Sequence, residues 1–170
     1  MTDFTDFGDY GFNRIIKYNG LVDFDGLYKF IQTWLRDRQW DFMELQAKDK
    51  PPWKVYKWQA RRKMTFYGAL QINMEIWLWE PKEVVVVRQG KEKHLLDTRM
   101  KINIGGAQVT DYDGDFEKGE FLKKVERFLN KYVMYHENLL KYFDYLDYYL
   151  HDFMTQIKQY LEMETATNAY

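Results

Sequence analysis

The chain has 170 residues, with 25 Lys and Arg against 26 Asp and Glu, a formal net charge of −1 and a hydrophobic fraction of 46%. That length suits one domain with an extension, and near-neutrality gives no global pull toward nucleic acid or an anionic membrane. Cys and Ser are both absent, which excludes disulfides, thiolate metal sites and thiol or serine nucleophiles.

Residues 1–11 read as a flexible acidic and aromatic tail, in which Asp3-Phe4-Thr5, Asp6-Phe7-Gly8 and Asp9-Tyr10-Gly11 repeat an acid–aromatic–small triplet. The sharper expectation for this tail is a docking strip, with Phe4, Phe7 and Tyr10 anchoring in grooves of the body or of a neighbouring subunit. The stretch lacks the basic-then-apolar order of a secretion signal, and no apolar run reaches the length of a membrane span. With no Cys to oxidise, the expected location is cytoplasmic.

Phe12 to Leu21 alternates weakly and predicts a first strand. Asp23 or Asp25 then caps a helix whose one face carries Phe24, Leu27, Tyr28, Ile31, Trp34 and Leu35. A run of strands follows. Phe42 to Leu45 opens one, Pro51-Pro52 breaks it, and Lys54 to Thr65 forms the next. Leu70, Ile72, Met74, Ile76 and Leu78 alternate cleanly with Gln71, Asn73, Glu75, Trp77 and Trp79. Glu80-Pro81-Lys82 is expected to turn that strand. Val84 to Val87 pairs through Gln89-Gly90 with Lys93 to Leu96, and Met100 to Ile104 forms a last strand.

From Gly119 to Met163 the chain has no further Gly and no Pro, and apolar residues recur at three- and four-residue steps. The pattern predicts one helix over 117–164, bent or straight near 135–138, roughly 65 Å long at about 1.5 Å per residue. The expected fold is therefore α+β: a curved antiparallel sheet of about six to seven strands, one short helix, and a long C-terminal helix packed on it or extending from it. The body spans 12–116 and residues 165–170 form a closing tail. The simplest packing lays the proximal part of the last helix on the sheet.

Trp58 to Tyr67, Glu83-Val84-Val85-Val86 with Gly90-Lys91, Asp111-Tyr112, Phe116-Glu117, Phe121-Leu122-Lys123, Arg127, Tyr132 and Ile157 to Leu161 resemble a family of small uncharacterised archaeal proteins. That resemblance implies a shared α+β fold and no activity. The element order is similar to helix-grip (START-like) folds, in which a C-terminal helix closes a curved sheet; a shared fold carries no function with it.

Candidate chemistry is sparse, and no residue set identifies a reaction, so a non-enzymatic role is expected, with no cofactor and no metal. Asp111, Asp113, Asp115 and Glu120 form the one dense carboxylate cluster, but Gly114 and the early Glu120 break calcium-loop spacing, which leaves an acidic turn before a helix. His94, His136 and His151 are too far apart in the chain to form a spaced ligand motif. Arg61, Arg62 and Lys63, near Trp53 and Trp58, make a candidate nucleic-acid patch, which strand geometry halves by sending Arg62 to the other face. On this account nucleic acid is a disfavoured partner. Ile72, Met74, Ile76 and Ile102 are candidates to line an apolar pocket, with a plain core as the favoured reading.

The long helix drives the leading expectation. Its seam carries Tyr132, His136, Leu139, Phe143, Leu146, Leu150, Phe153, Ile157 and Tyr160, flanked by Tyr142 and Tyr149. That face is broader than a two-stranded zipper needs, so it suggests an interface shared by several helices. The expected function is a structural protein that self-associates through this helix into a homo-oligomer, or into a higher-order or filamentous assembly. Other protein partners are admitted. A helix-grip carrier for a small apolar ligand and a nucleic-acid-binding protein are the alternatives.

Overall fold

The structure, a computed structural model, describes residues 12–64, 68–88, 91–110 and 143–163, together with residues 124, 125 and 128. Along the chain these form β1 (Phe12–Val22), α1 (Phe24–Asp37), β2 (Asp41–Lys50), β3 (Trp53–Lys63), β4 (Gly68–Arg88), β5 (Lys91–Thr110) and a C-terminal helix, α2 (Phe143–Tyr160). The class is α+β. The strands make one sheet in the order β1-β5-β4-β3-β2, antiparallel at every pairing.

Local chemistry sets the first elements. The Asp23 side chain accepts a hydrogen bond from the Gly26 backbone N–H at 2.8 Å, which satisfies one of the free donors at the start of α1. Phe24, Leu27, Ile31, Trp34 and Leu35 then fall on one face of the helix, and all five are buried. They meet the sheet side built by Ile16, Trp58, Ala60, Leu70, Ile72, Met74, Ile76, Leu78, Met100, Ile102 and Ile104, all buried in one cluster with the two helices. Ile72, Met74, Ile76 and Ile102, the candidate pocket wall, are part of this core.

α2 lies across the same sheet side. Leu146, Leu150, Phe153 and Ile157 have no exposed surface, and the Phe153 ring stacks on Trp34 with centroids 4.4 Å apart. The approach is close because β5 carries Gly106 at the crossing. A Cβ added there would meet Leu150 Cδ1 at 2.6 Å and Leu146 Cδ2 at 3.0 Å. Ion pairs fix the helix laterally: Arg14 on β1 pairs with Asp147, and Arg38 after α1 pairs with Asp152 at 3.4 Å.

Three expectations need correction. Among the described residues the sheet has five strands, not six or seven, because Glu80-Pro81 does not turn the chain. β4 and β5 run past that point as single strands of 21 and 20 residues, with a register shift between Trp79 and Lys82. Glu80 takes a positive φ of 50° and its N–H donates to the Pro52 carbonyl at 2.7 Å, so the extra residue is accommodated as a bulge; Pro81, lacking an N–H, needs no ladder partner there. Second, the distal part of the last helix lies on the sheet, whereas the expectation had put there the proximal part, which lies mostly outside the described residues. Third, the described seam residues Leu146, Leu150, Phe153 and Ile157 face the chain's own core. The proximal seam residues Tyr132, His136, Leu139 and Tyr142, the acidic cluster at 111–120, and the tail residues Phe4, Phe7 and Tyr10 lie outside the described residues.

The contact at Gly106 has a direct consequence. Gly106→Ala places a methyl against two fully buried leucine side chains, which must shift to admit it, and overpacking of this kind costs about 1–3 kcal/mol. Urea unfolding of the full chain is expected to show a lower midpoint with an unchanged slope; an unchanged midpoint contradicts the crossing of α2 over β5.

Candidate functional site

Both helices lie on one side of the sheet, and no described element covers the other side. Residues directly opposite on antiparallel strands share a face, so the register reads out this open face row by row. One row is Lys50, Trp53, Trp79, Arg99 and Asn19, running from β2 across to β1. The next is Lys48, Val55, Trp77, Lys101 and Lys17. A third is Gln46, Lys57, Glu75, Asn103 and Ile15, and beyond it come Met43, Gln59, Asn73 and Gly105, then Asp41, Arg61 and Gln71.

The first two rows hold three tryptophans and five cations, with no carboxylate among them. Trp53 and Trp77 have ring centroids 5.5 Å apart; Trp77 and Trp79, two residues apart on β4, stack at 5.9 Å with their planes 18° from parallel. All three rings are half-buried, so each keeps part of its surface open. Lys17, Asn19, Trp79, Arg99 and Lys101 line a cleft of about 420 Å³ at the β1 side. Lys17, Lys48, Lys50, Arg99 and Lys101 make no ion pair with any described residue, so their charge is not neutralised locally. Counted from the Lys82–Asp97 row to Lys63, the face adds Lys57, Arg61, Lys63 and Lys82 to these five, against Asp41, Glu75 and Asp97. A chain of net charge −1 thus carries a basic face among its described residues, while Asp147 and Asp152 on α2 pair on the helix side.

Below the tryptophans the face is polar and interlocked. Lys57 Nζ pairs with Glu75 at 3.0 Å, and the Asn103 amide reaches the other Glu75 oxygen at 3.4 Å. Arg61 Nε donates to Gln71 at 2.9 Å, and the Gln71 and Gln59 amides both donate to Asn73 Oδ1, at 3.0 and 3.1 Å. Such a ladder fixes the side chains of the central strands through their own hydrogen bonds.

The three basic residues singled out in the sequence divide as alternation requires. Arg61 and Lys63 belong to the open face. Arg62 points to the helix side, where its guanidinium donates to the hydroxyls of Tyr145 and Tyr149 at 3.0 Å each and ties β3 to α2. Of the seam aromatics, Tyr149 and Tyr160 are part-buried against the core, Tyr160 stacked on Phe30 at 5.2 Å. Reading the sequence missed the tryptophan rows. The usable signal was that Trp77 and Trp79 occupy the polar phase of β4, which puts two large rings on the side away from the core.

No protein-family model matches the chain, no curated protein matches it, and no solved structure matches it. No described helix is long and apolar enough to cross a membrane, and no described group of three or more His, Asp or Glu is placed to hold a metal ion.

The Arg62 contact gives the helix-side tyrosines unequal acidity. Burial pushes the Tyr149 hydroxyl up, but hydrogen bonds from Tyr145 and Arg62 and the nearby Arg62 and Arg38 charges outweigh it, and its pKa falls below the ordinary tyrosine value. Burial and donation to Tyr149 raise Tyr145, with Arg62 opposing. Removing the guanidinium takes away a positive charge and a donor that favour both phenolates. In Arg62→Met the Tyr149 ring, followed by its own NMR resonance in an alkaline titration, is therefore expected to ionise at higher pH; an unmoved Tyr149 titration contradicts the contact.

Proposed function

We propose that the protein binds single-stranded nucleic acid on the open face of its sheet. The observation that carries this reading is the pair of rows in which Trp53, Trp77 and Trp79 stand between Lys48 and Lys50 on one side and Lys17, Arg99 and Lys101 on the other, without a carboxylate. Rings offer stacking surfaces to unpaired bases, and flanking cations track the phosphates; this combination is what sequence-tolerant binding of single strands uses. A duplex hides its base faces in its own stack, so a flat platform of rings favours the unpaired form. Unlike the Arg61-Arg62-Lys63 run taken alone, the face collects cations from four strands, so alternation no longer halves it.

The leading expectation from the sequence was self-assembly through the C-terminal helix. Its described half serves the chain's own core, which removes the motive that half supplied for a second subunit. The apolar-ligand reading loses support in the same way, since its lining residues are packed under α1 and α2.

Fluorescence anisotropy with a labelled single-stranded oligonucleotide tests the proposal. If all five cations contact phosphates, affinity falls roughly 100-fold between 50 and 200 mM salt, because each contact contributes about −0.7 to the logarithmic slope. Trp77→Ala is expected to weaken binding by about 1–3 kcal/mol. Arg99→Gln is expected to flatten the salt slope by about 0.7. No binding at 50 mM salt, or binding that ignores salt, contradicts the reading.

A further inference from the structure

The cations that share rows with the tryptophans are not spread evenly. Lys48 and Lys50 stand on β2 at one margin of the sheet. Lys17, Arg99 and Lys101 gather at the other, on β1 and β5, and β5 lies three strand spacings from β2, about 14 Å. Lys17 and Lys101 are register partners, and Arg99 follows two residues away on the same face of β5, about 7 Å along the strand. Like charges set directly opposite on antiparallel strands repel each other. Among the described residues none of these three side chains has an ion pair, so nothing described relieves that repulsion, and a bound anion would.

The same three cations shape the cleft at the β1 side, whose volume of about 420 Å³ falls in the range of small-molecule sites, about 300–1,000 Å³. Its floor is main chain. Tyr18 and Met100 line it too, yet the side chains of both pack on the helix side, so toward the cleft they present the backbone of β1 and β5. The half-buried Trp79 ring walls it on the β4 side, and the Asn19 amide adds an uncharged donor opposite Arg99. The carboxylates in the adjoining rows, Asp97 beyond Arg99 and the Lys57-paired Glu75 beyond Lys101, do not line it.

Three cations beside one ring exceed what the interior of a strand needs at one place. A phosphodiester brings one negative charge. A phosphomonoester carries about −1.5 to −2 at neutral pH, on three acceptor oxygens of one phosphorus. Within a strand, only its ends can carry such a group.

Resting on the single-strand reading above, we propose that this cleft captures a phosphorylated end of the strand. The terminal base stacks on Trp79, and Lys17, Arg99 and Lys101 hold the terminal phosphomonoester. The rest of the strand then runs over Trp77 and Trp53 toward Lys48 and Lys50. Stacking and diester contacts tolerate any position along a strand, whereas the cleft distinguishes an end from an interior.

Competition anisotropy on the full chain at low salt tests this. An internally labelled oligothymidylate is displaced by unlabelled oligothymidylates of equal length that carry a 5′-phosphate, a 3′-phosphate or hydroxyls at both ends. The two ends of a strand differ in geometry, so one phosphorylated form is expected to compete about tenfold better than the hydroxyl form, the scale of one added charge-assisted hydrogen bond. The other phosphorylated form is expected to compete like the hydroxyl form. In the double variant Lys17→Gln with Lys101→Gln, shown to be folded by circular dichroism, that tenfold ratio is expected to fall toward one. In Lys48→Gln all three competitors are expected to weaken together with the ratio kept. Equal competition by all three overturns the proposal and leaves single-strand binding standing. So does an equal gain at both ends, which added charge alone would give, and so does a ratio that survives the double variant. Failure of the labelled oligonucleotide to bind overturns both readings together.

Discussion

Much of the structure depends on how closely α2 approaches the sheet at Gly106. A side chain there would hold the helix off β5, and the leucines, Phe153 and Ile157 that fill the space above the sheet would lose their contacts. With α2 seated, it and α1 together bury one side of all the central strands, and the Phe153–Trp34 stack joins the two helices into one layer. Among the described residues the main apolar cluster of this α+β body lies between the two helices and the sheet. On the opposite side of the sheet no described element adds a second layer, so the described side chains there hold one another. The amide ladder of Gln59, Gln71 and Asn73, the Lys57–Glu75–Asn103 row and the packed tryptophans fill that role.

A one-sided sheet explains how a nearly neutral chain presents a basic surface. Net charge describes the whole molecule, whereas a ligand meets one face and its local field. Lys17 and Lys101 are far apart in sequence, but the β1–β5 register sets them directly opposite each other. Acidic side chains on α2 are engaged with Arg14 and Arg38 on the helix side, so they do not neutralise the open face.

The parts legible in the sequence are those governed by short-range periodicity. The Asp23 cap, the apolar face of α1 and the inward set of β4 from Leu70 to Leu78 follow from neighbours within a turn or a pleat, and the structure has them as expected. Glu80-Pro81 misleads because the same dipeptide suits a turn or a bulge, and only the Pro52 carbonyl, brought over from the β2–β3 hairpin, selects the bulge. The helical seam misleads for a related reason. An apolar stripe states that something covers it but not what, and here the cover over Leu146 to Ile157 is the chain's own sheet at a glycine that leaves room. The open face was least legible, since its rows are assembled from five strands by register, and register is a tertiary property.

The central claim is that the helix layer and the open face divide the work between core and ligand. The six tryptophans report on it directly, because Trp34, Trp40 and Trp58 are buried on the helix side and Trp53, Trp77 and Trp79 stand on the open face. The most direct measurement is an NMR titration of the six indole N–H resonances of the full chain with a short single-stranded oligonucleotide. The predicted result is that the resonances of Trp53, Trp77 and Trp79 shift together and revert on adding salt, while the other three stay in place. Binding that moves Trp34, Trp40 and Trp58 and leaves the open-face indoles unmoved would contradict the account.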